Sequence, residues 1–148
     1  MKSELNSPES KQAPIILVIE DNEDNLLFIS HALIFFKYTF VAARNLEEAR
    51  AIIEQHPPEL ILLDIMLGKD NGLSLVRQLK QNSQTKKIPI VAVTAITQPK
   101  KCDRLLMAGC DRYLNKPYLL EDLQKIVESY ISRATKNTNF ISSLMAFS

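Results

Sequence analysis

The sequence is poor in the residues that build several common kinds of functional site. Its 148 residues include two cysteines, two histidines, three glycines and no tryptophan. Cys102 and Cys110 do not make a disulfide framework, and two histidines leave little material for a zinc site. Gly68, Gly72 and Gly109 lie too far apart for a P-loop or a dinucleotide-binding fingerprint. These shortages exclude most nucleotide-binding and metalloprotease classes.

Long apolar runs and an excess of one charge are missing as well. The longest apolar runs, such as Ile15–Ile19, fall far short of the roughly 20 residues that a membrane span needs. The N-terminus lacks the apolar core of a signal peptide. Lys and Arg number 18 and Asp and Glu 17, so the net charge of +1 marks no surface for DNA or anionic membranes. We therefore expect a cytoplasmic protein with no DNA-binding domain and no membrane attachment.

Short apolar runs that end abruptly in polar residues recur along the chain. They lie at Ile15–Ile19, Tyr38–Ala42, Leu60–Leu63 and Ile90–Val93, with a weaker one at Arg112–Leu114. None alternates cleanly between apolar and polar residues. Continuous apolar runs of this length are typical of parallel strands that are buried on both faces of a sheet.

Segments with apolar residues at helical spacing separate these runs. The segments are Asn25–Phe36, Asn45–Ile53, Leu73–Leu79, Lys101–Met107 and Leu123–Ile131. Asn45 and Glu48 have the spacing of a capping pair, and Gly109 ends the fourth segment. The order βα, repeated five times, predicts an α/β fold in which a five-stranded parallel sheet is doubly wound, with helices on both faces.

We predict that residues 14–133 form the folded domain and that both ends lie outside it. Residues 1–13 are polar, which predicts a flexible arm. Residues 134–148 are rich in Ser, Thr and Asn and then carry a set of apolar residues, Phe140, Ile141, Leu144, Met145 and Phe147. This composition favours a disordered tail. The alternative is an apolar segment that docks on this domain or on a partner.

Polar residues follow the predicted strands at their carboxyl ends, where open parallel sheets bind ligands. Glu20 and Asp21 follow the first strand and Asp64 the third, so adjacent inner strands bring three carboxylates together. Like charges repel unless a cation joins them, and an all-oxygen site suits Mg²⁺. Thr94 and Lys116 follow the next two strands and are able to hold an anion beside the metal. This arrangement predicts phosphoryl transfer to an aspartate.

Four segments in consistent order carry a family resemblance. Their sequences are ILVIEDN at 16–22, LILLDIML at 60–67, VTA at 93–95 and AGCDRYLNKPY at 108–118. From Pro14 to Arg133 the chain resembles the receiver domain of a two-component response regulator, in particular the single-domain, chemotaxis-type members that lack an attached output domain. The resemblance implies the flavodoxin-like (βα)5 strand order 2-1-3-4-5.

The resemblance also implies which residues bind metal and accept the phosphoryl group. Asp64 would be the phosphoacceptor. Asp21 would bind Mg²⁺ directly, and Glu20 would hold it directly or through water. Asp64 and the backbone carbonyl of Met66 would complete the set of metal ligands.

The remaining roles belong to the phosphoryl-binding and switching residues. Thr94 and Lys116 would each contact a phosphoryl oxygen, and Ala95 would leave room beside them. Tyr113 would turn inward when Thr94 is drawn toward the phosphate, although a plain edge aromatic is the alternative for this residue. Lys116 and Pro117 would be joined by a cis peptide bond.

The function implied is a phosphorylation-dependent signalling switch. A histidine kinase or a histidine phosphotransfer protein would donate the phosphoryl group to Asp64, and the added charge would change the face formed by the fourth helix, fifth strand and fifth helix. An unidentified protein target would bind that face. The chain would be a monomer, or a weak dimer that forms through the same face. The protein would catalyse only its own phosphorylation and slow dephosphorylation, so we do not expect an ordinary enzyme.

Three other functions compete with this one. A degenerate receiver would act as a phosphate-independent protein-binding module, but such receivers normally lose an acidic residue, the lysine or the acceptor, and all are present here. A flavodoxin-type carrier is disfavoured because the acidic loop after the first strand, residues 20–24, would repel the phosphate of FMN. An Asp-x-Asp phosphatase is disfavoured because Met66 stands where the second aspartate is needed.

Overall fold

The computed structural model describes residues 15–67 and 70–131, and within them it contains two sheets. The strands are β1 (Ile15–Ile19), β2 (Thr39–Ala43), β3 (Leu60–Asp64), β4 (Met66–Leu67), β5 (Asp70–Asn71), β6 (Ile90–Thr94) and β7 (Arg112–Asn115). The larger sheet is parallel and has the order β2-β1-β3-β6-β7, and β4 and β5 form a small antiparallel hairpin. The predicted doubly wound α/β fold and the strand order implied by the resemblance are both confirmed.

The three central strands differ from the two edge strands in burial. Every residue of β3 and β6 is buried, and β1 is buried after its first residue. The edge strands β2 and β7 each expose some of their residues. Helices cover both faces of the central strands, and this is why those strands consist of continuous apolar runs.

Five helices connect the strands of the larger sheet. They are α1 (Glu23–Phe35), α2 (Leu46–Gln55), α3 (Leu73–Gln81), α4 (Pro99–Ala108) and α5 (Leu120–Tyr130). The predicted N-cap of α2 is confirmed, because the Asn45 side chain accepts a hydrogen bond from the Glu48 N–H at 2.8 Å. The Glu48 carboxylate accepts in return from the N–H of Arg44 at 2.9 Å. Gly109 follows α4 with a φ of 126°, which only glycine adopts without strain.

Alternate residues of each central strand pack on opposite sides of the sheet, so the domain has two apolar cores. On one side, Leu17, Ile61 and Ala92 belong to a core that also includes residues of α2, α3 and α4. On the other side, Val18 and Leu62 belong to a core completed by α1 and α5. The α4 helix and the α1–α5 pair therefore lie on opposite sides of the sheet.

Some element boundaries differ from those predicted. The second strand starts at Thr39 rather than Tyr38, because the Tyr38 N–H bonds to the Leu33 carbonyl at the end of α1 instead of joining the sheet. The first helix starts at Glu23 rather than Asn25, because Asn22 caps it by accepting from the Asn25 N–H at 2.8 Å. The hairpin of β4 and β5 was not predicted, since two-residue strands are too short to show a periodicity.

Two of the predicted segments cannot be compared with the structure. The arm at residues 1–13 and the tail at 134–148 lie outside the described residues. Among the helices of residues 15–67 and 70–131, none combines the length and apolar character that crossing a membrane requires.

Candidate functional site

The three predicted carboxylates lie together at the carboxyl ends of β1 and β3. Ile19 and Leu63 are paired in the parallel register, so Glu20 and Asp64 follow at the same level of the sheet. One oxygen from each of Glu20, Asp21 and Asp64 lies within 4.8 Å of the other two. Glu20 and Asp64 are only 5% and 7% exposed, whereas Asp21 is exposed. The sheet thus places two buried carboxylates and one accessible carboxylate in one cluster.

Lys116 reaches into this cluster from the end of β7. Its Nζ atom lies 3.4 Å from Glu20 Oε1 and 3.3 Å from Asp64 Oδ2. Its backbone N–H donates to the Thr94 carbonyl at 2.8 Å, and the peptide bond between Lys116 and Pro117 is cis. One ammonium group therefore bridges the two buried carboxylates and offsets part of their mutual repulsion.

The ammonium does not neutralise the cluster. Burial raises the pKa of Glu20 above its ordinary value of 4.5, and the neighbouring Asp64 raises it further. The Asn22 N–H, which donates to Glu20 Oε2 at 3.1 Å, and the charge of Lys116 act in the opposite direction. Three carboxylate oxygens beside one lysine leave a site that favours an additional cation, and oxygen donors are the ligands that Mg²⁺ prefers. The residues present therefore fit Mg²⁺.

Backbone contacts orient the Asp64 carboxylate. The N–H of Met66 donates to Asp64 Oδ1 at 3.1 Å, while Asp64 Oδ2 faces Lys116. The Met66 side chain is exposed, so the residue meets the site through its main chain. Both oxygens of Asp64 are thus held by hydrogen bonds in a defined direction.

A cavity of about 450 Å³ opens beside the cluster. The polar end of the cavity is formed by Glu20, Asp64 and Lys116, and its rim includes Ala95. The rest of the lining is largely apolar. The rings of Phe28 and Tyr118, two further lining residues, meet edge to face with their centroids 5.7 Å apart. Burial, and then the negative charge of Glu20, raise the pKa of the Tyr118 phenol to about 12. The cavity is large enough to admit a phosphoryl group next to Asp64.

Thr94 is close to the site but is not among the residues that line this cavity. It is fully buried at the end of β6, and its hydroxyl oxygen accepts a hydrogen bond from the Ile96 N–H at 3.0 Å. The carbonyl of Ile96 accepts from the Asn115 side-chain amide and from the Cys102 thiol. Thr94 and Asn115 therefore hold the loop that leads from β6 to α4.

Asn115 was not assigned a role from the sequence. The signal available was its position at the end of a strand, directly before Lys116 and Pro117. Thr94 and Asn115 are paired in the register of β6 and β7, which brings the amide under the loop. An asparagine that bonds only to a backbone carbonyl belongs to no recognisable spacing pattern.

Tyr113 lies outside the cavity, on the edge strand β7. Its side chain is at the surface, 36% exposed. The neighbouring sulfur of Cys102 raises the pKa of Tyr113 most, through its electrostatic interaction and a hydrogen bond, and desolvation and the charge of Asp103 raise it further. These two neighbours belong to α4, so Tyr113 stands against α4 rather than pointing toward Asp64.

Comparison with known proteins gives one consistent family. A family model described as the response regulator receiver domain matches residues 16–128. Among curated proteins, the polar-differentiation response regulator DivK of Brucella anthropi is 31% identical over 119 residues, which cover 80% of this chain and 97% of DivK.

Solved structures give the same result. The receiver domain of the sensor histidine kinase PA1611 of Pseudomonas aeruginosa PAO1, solved with a magnesium ion in its active site cleft, is 28% identical. It superposes with a TM-score of 0.74 over 82% of this chain and 99% of its own. A co-crystal structure of the Saccharomyces cerevisiae phosphotransfer protein Ypd1 and the receiver domain of Ssk1 also matches, with 26% identity and a TM-score of 0.73. That match covers 83% of this chain and 93% of the other.

Proposed function

The chain belongs to the response regulator receiver family, whose members are signalling proteins rather than classical enzymes, and we propose that Asp64 accepts the phosphoryl group of a phosphorylation-dependent switch. One observation carries the proposal. The buried Asp64 carboxylate is held by Lys116 and the Met66 N–H, and it lies within reach of two further carboxylates. A nucleophilic carboxylate needs this combination of fixed direction and nearby positive charge.

Mg²⁺ is the proposed cofactor of this transfer. Glu20, Asp21 and Asp64 would hold it with their side chains, together with the backbone carbonyl of Met66. The ion would supply positive charge to the oxygens of the transferring phosphoryl group. The spacing of the three carboxylates and the magnesium ion in the PA1611 receiver both support this assignment.

The reaction needs few protein groups beyond these. An oxygen of Asp64 forms a bond to phosphorus while the bond from phosphorus to the donor's histidine nitrogen breaks, and the released imidazole takes up a proton. Lys116 now bonds to the carboxylate that is to be modified, so it would move to a phosphoryl oxygen, where a charge-assisted bond is strong. Self-catalysed phosphorylation and slow hydrolysis of the same bond are part of this proposal.

The response to phosphorylation is proposed to begin at Thr94. Its hydroxyl would donate to a phosphoryl oxygen and draw the loop after β6 inward. Ala95, which already lines the cavity, would leave the room that the phosphoryl group needs. Tyr113 would turn from its present position against α4 into the space vacated beside Ala95. The face built by α4, β7 and α5 would then differ between the two states, and a protein target would read that difference.

The proposed phosphodonor is a histidine kinase or a histidine phosphotransfer protein. The co-crystal of Ypd1 with the Ssk1 receiver supports this class of donor. We further propose a domain that spans residues 14–133, a cytoplasmic location, and a monomer or a weak dimer through the α4–β7–α5 face.

The experiment is phosphorylation by acetyl phosphate with Mg²⁺, followed by intact and peptide mass spectrometry. We expect a single phosphoryl group on Asp64 and no labelling of Asp64→Asn. Asp24→Asn is the matched control, because Asp24 is an exposed acid at the start of α1 and lies outside the cluster. Labelling of Asp64→Asn, or a phosphoryl group on Ser, Thr or His in the native chain, would contradict the assignment.

A further inference from the structure

An exposed apolar surface lies on the outer side of α1. Six of the ten large hydrophobic side chains that are exposed in the described residues belong to it, and we call them the α1–α5 face: Leu27, Phe28, Ile34, Phe35, Leu119 and Leu120. Their exposed fractions run from 44% for Leu120 to 65% for Phe35. Exposed apolar residues that cluster in this way mark an interaction surface, whereas single ones need no explanation.

The pattern within α1 shows that this exposure belongs to the whole helix. Leu27, Phe28, Ile34 and Phe35 recur after seven residues, and therefore lie on one side of the helix. The opposite side of α1 is buried in the domain core. A helix that is apolar on both sides is normally covered on both sides. Among the described residues the second side of α1 is covered only in part: the ring of Phe28 meets Tyr118, and the exposed fractions of the four side chains run from 48% to 65%.

A groove crosses the α1–α5 face between the end of α1 and the first turns of α5. Its volume is about 480 Å³, and its lining residues are Phe35, Phe36, Leu119, Leu120, Glu121 and Gln124. The rings of Phe35 and Phe36 meet edge to face with centroids 5.7 Å apart. The groove is therefore mainly apolar, and Glu121 is the single charged residue in its lining.

The segment after α5 has the composition that such a groove accepts. Phe140, Ile141, Leu144 and Met145 have the spacing of one side of a helix. Residues 132–148 contain no acidic residue, and Arg133 and Lys136 carry positive charge toward a surface that exposes Glu121 and Glu128. Apolar character and charge both match the α1–α5 face.

The stretch of chain between α5 and the apolar segment is also long enough to reach the groove. α5 ends at Tyr130, and the stretch 132–139 that precedes Phe140 spans up to about 26–29 Å when extended. The eleven residues of α5 span about 16 Å along its axis. A chain that reverses direction after Ile131 therefore reaches the groove at the start of α5.

We propose that residues 134–148 fold back on their own domain and place the side chains of Phe140, Ile141, Leu144 and Met145 on the α1–α5 face. The occupant is thus a segment of the same molecule. A second copy of the chain and a separate partner protein are the other occupants, and the experiment below separates them. The argument for the proposal does not use the phosphorylation of Asp64, although Phe28 of this face also lines the cavity beside Asp64.

The test uses full-length protein and a soluble paramagnetic probe that enhances the NMR relaxation of exposed methyl groups. The double variant Phe140→Ser with Leu144→Ser removes half of the apolar set. Ser142→Ala with Ser143→Ala is the matched control, since these residues lie between the apolar ones. The reporters are the methyl groups of Leu27, Ile34, Leu119 and Leu120. Met107 on α4, which is 86% exposed, is the internal standard.

We expect stronger relaxation at the reporters in the apolar double variant only. A segment that is docked about nine-tenths of the time leaves the face open about one-tenth of the time, so its release raises the enhancement up to about tenfold. Phe35→Ser, at an exposed position, is expected to raise the enhancement also at Leu27, about two turns of α1 away from the substitution, without unfolding the domain.

Two results would overturn the proposal. Equal enhancements in the native chain and in both double variants would show that the segment does not cover the face. A separate partner protein would then be the remaining occupant. Shielding of the reporters that disappears on dilution would show that the cover comes from a second copy. Shielding that persists on dilution and depends on Phe140 and Leu144 supports the proposal.

Discussion

The two sides of the acceptor site differ in what their polar side chains contact. The acid side consists of Glu20, Asp21 and Asp64 at the ends of β1 and β3. The carboxylates of Glu20 and Asp64 line the cavity and are bridged by Lys116, and the exposed Asp21 lies beside them. The responding side, which consists of Thr94 and Asn115 at the ends of β6 and β7, has its polar groups bonded to the backbone of Ile96. Its outer member Tyr113 lies on the surface against α4.

This difference separates binding from response. On the acid side, hydrogen bonds from Asn22, Met66 and Lys116 already fix the carboxylates of Glu20 and Asp64, an arrangement compatible with a bound Mg²⁺ ion. The responding side has to exchange one set of hydrogen bonds for another. Such an exchange has a small net free energy, because bonds are replaced and not lost. We therefore expect a phosphoryl oxygen to shift the equilibrium of the responding side, while on the acid side Lys116 is the group that changes its partner.

The largest expected effect comes from removing a charge on the acid side. We expect Asp21→Asn to abolish measurable Mg²⁺ binding, because the loss of even an outer partner costs about 10–100-fold in affinity and Asp21 is proposed to contact the ion. An Mg²⁺ titration followed by NMR shifts near Asp64 measures the effect, and Asp24→Asn serves as the control. If Asp21→Asn binds Mg²⁺ as the native chain does, the acid side is not the metal site.

The next effect separates the two sides. We expect Thr94→Ala to accept the phosphoryl group at Asp64 but to lose the shifts that beryllofluoride and Mg²⁺ induce in α4 and at Tyr113. The substitution also removes the acceptor of the half-buried Ile96 N–H, which costs about 0.5–1.5 kcal/mol of stability. Thr94→Ser keeps the hydroxyl and is expected to retain the shifts. Full shifts in Thr94→Ala would show that the response bypasses this residue.

A smaller effect is expected on the stability of the acid side, where the pKa of Glu20 is raised. Because the pKa of Glu20 is raised in the folded state, its contribution to stability is fully present below pH 4.5 and is lost as the pH rises through the folded pKa. We therefore expect Glu20→Gln to raise the melting temperature at neutral pH without metal, and to have no such benefit in acid.

Thermal unfolding across pH, with and without Mg²⁺, checks this expectation. The ion stabilises the native chain by binding to the folded state, so the advantage of Glu20→Gln is expected to shrink when Mg²⁺ is added. Glu59→Gln, at an exposed position, is the control and is expected to change little. A lower melting temperature for metal-free Glu20→Gln at neutral pH would contradict the account.

The smallest effect is expected at the outer end of the responding side. Tyr113→Ala removes a ring that is 36% exposed and otherwise rests against α4, so we expect a destabilisation of about 1 kcal/mol and unchanged labelling of Asp64. The shifts in α4 on beryllofluoride binding are expected to be reduced but not lost. Unchanged shifts would identify Tyr113 as a plain edge aromatic, the alternative that its sequence position left open.

The acid side was more accessible to sequence analysis than the responding side. Glu20 and Asp64 follow continuous apolar strands, so strand pattern and sheet topology together place them side by side. The contacts of Asn115 with a backbone carbonyl have no periodicity or motif. The outward position of Tyr113 depends on its neighbours in α4, and neither composition nor spacing indicates which way an aromatic residue on an edge strand turns. Phe28 and Tyr118 meet across the cavity only because α1 and the loop after β7 pack together.

The contacts of Ile96 have a consequence for how the site is mapped by mutation. Thr94 bonds to the N–H of Ile96, and Asn115 and Cys102 bond to its carbonyl, so the connection between β6, β7 and α4 passes through the backbone of one residue. An alanine scan changes side chains only and would therefore pass over this position without a signal. A proline at position 96, which removes the N–H, is the substitution that would reveal it.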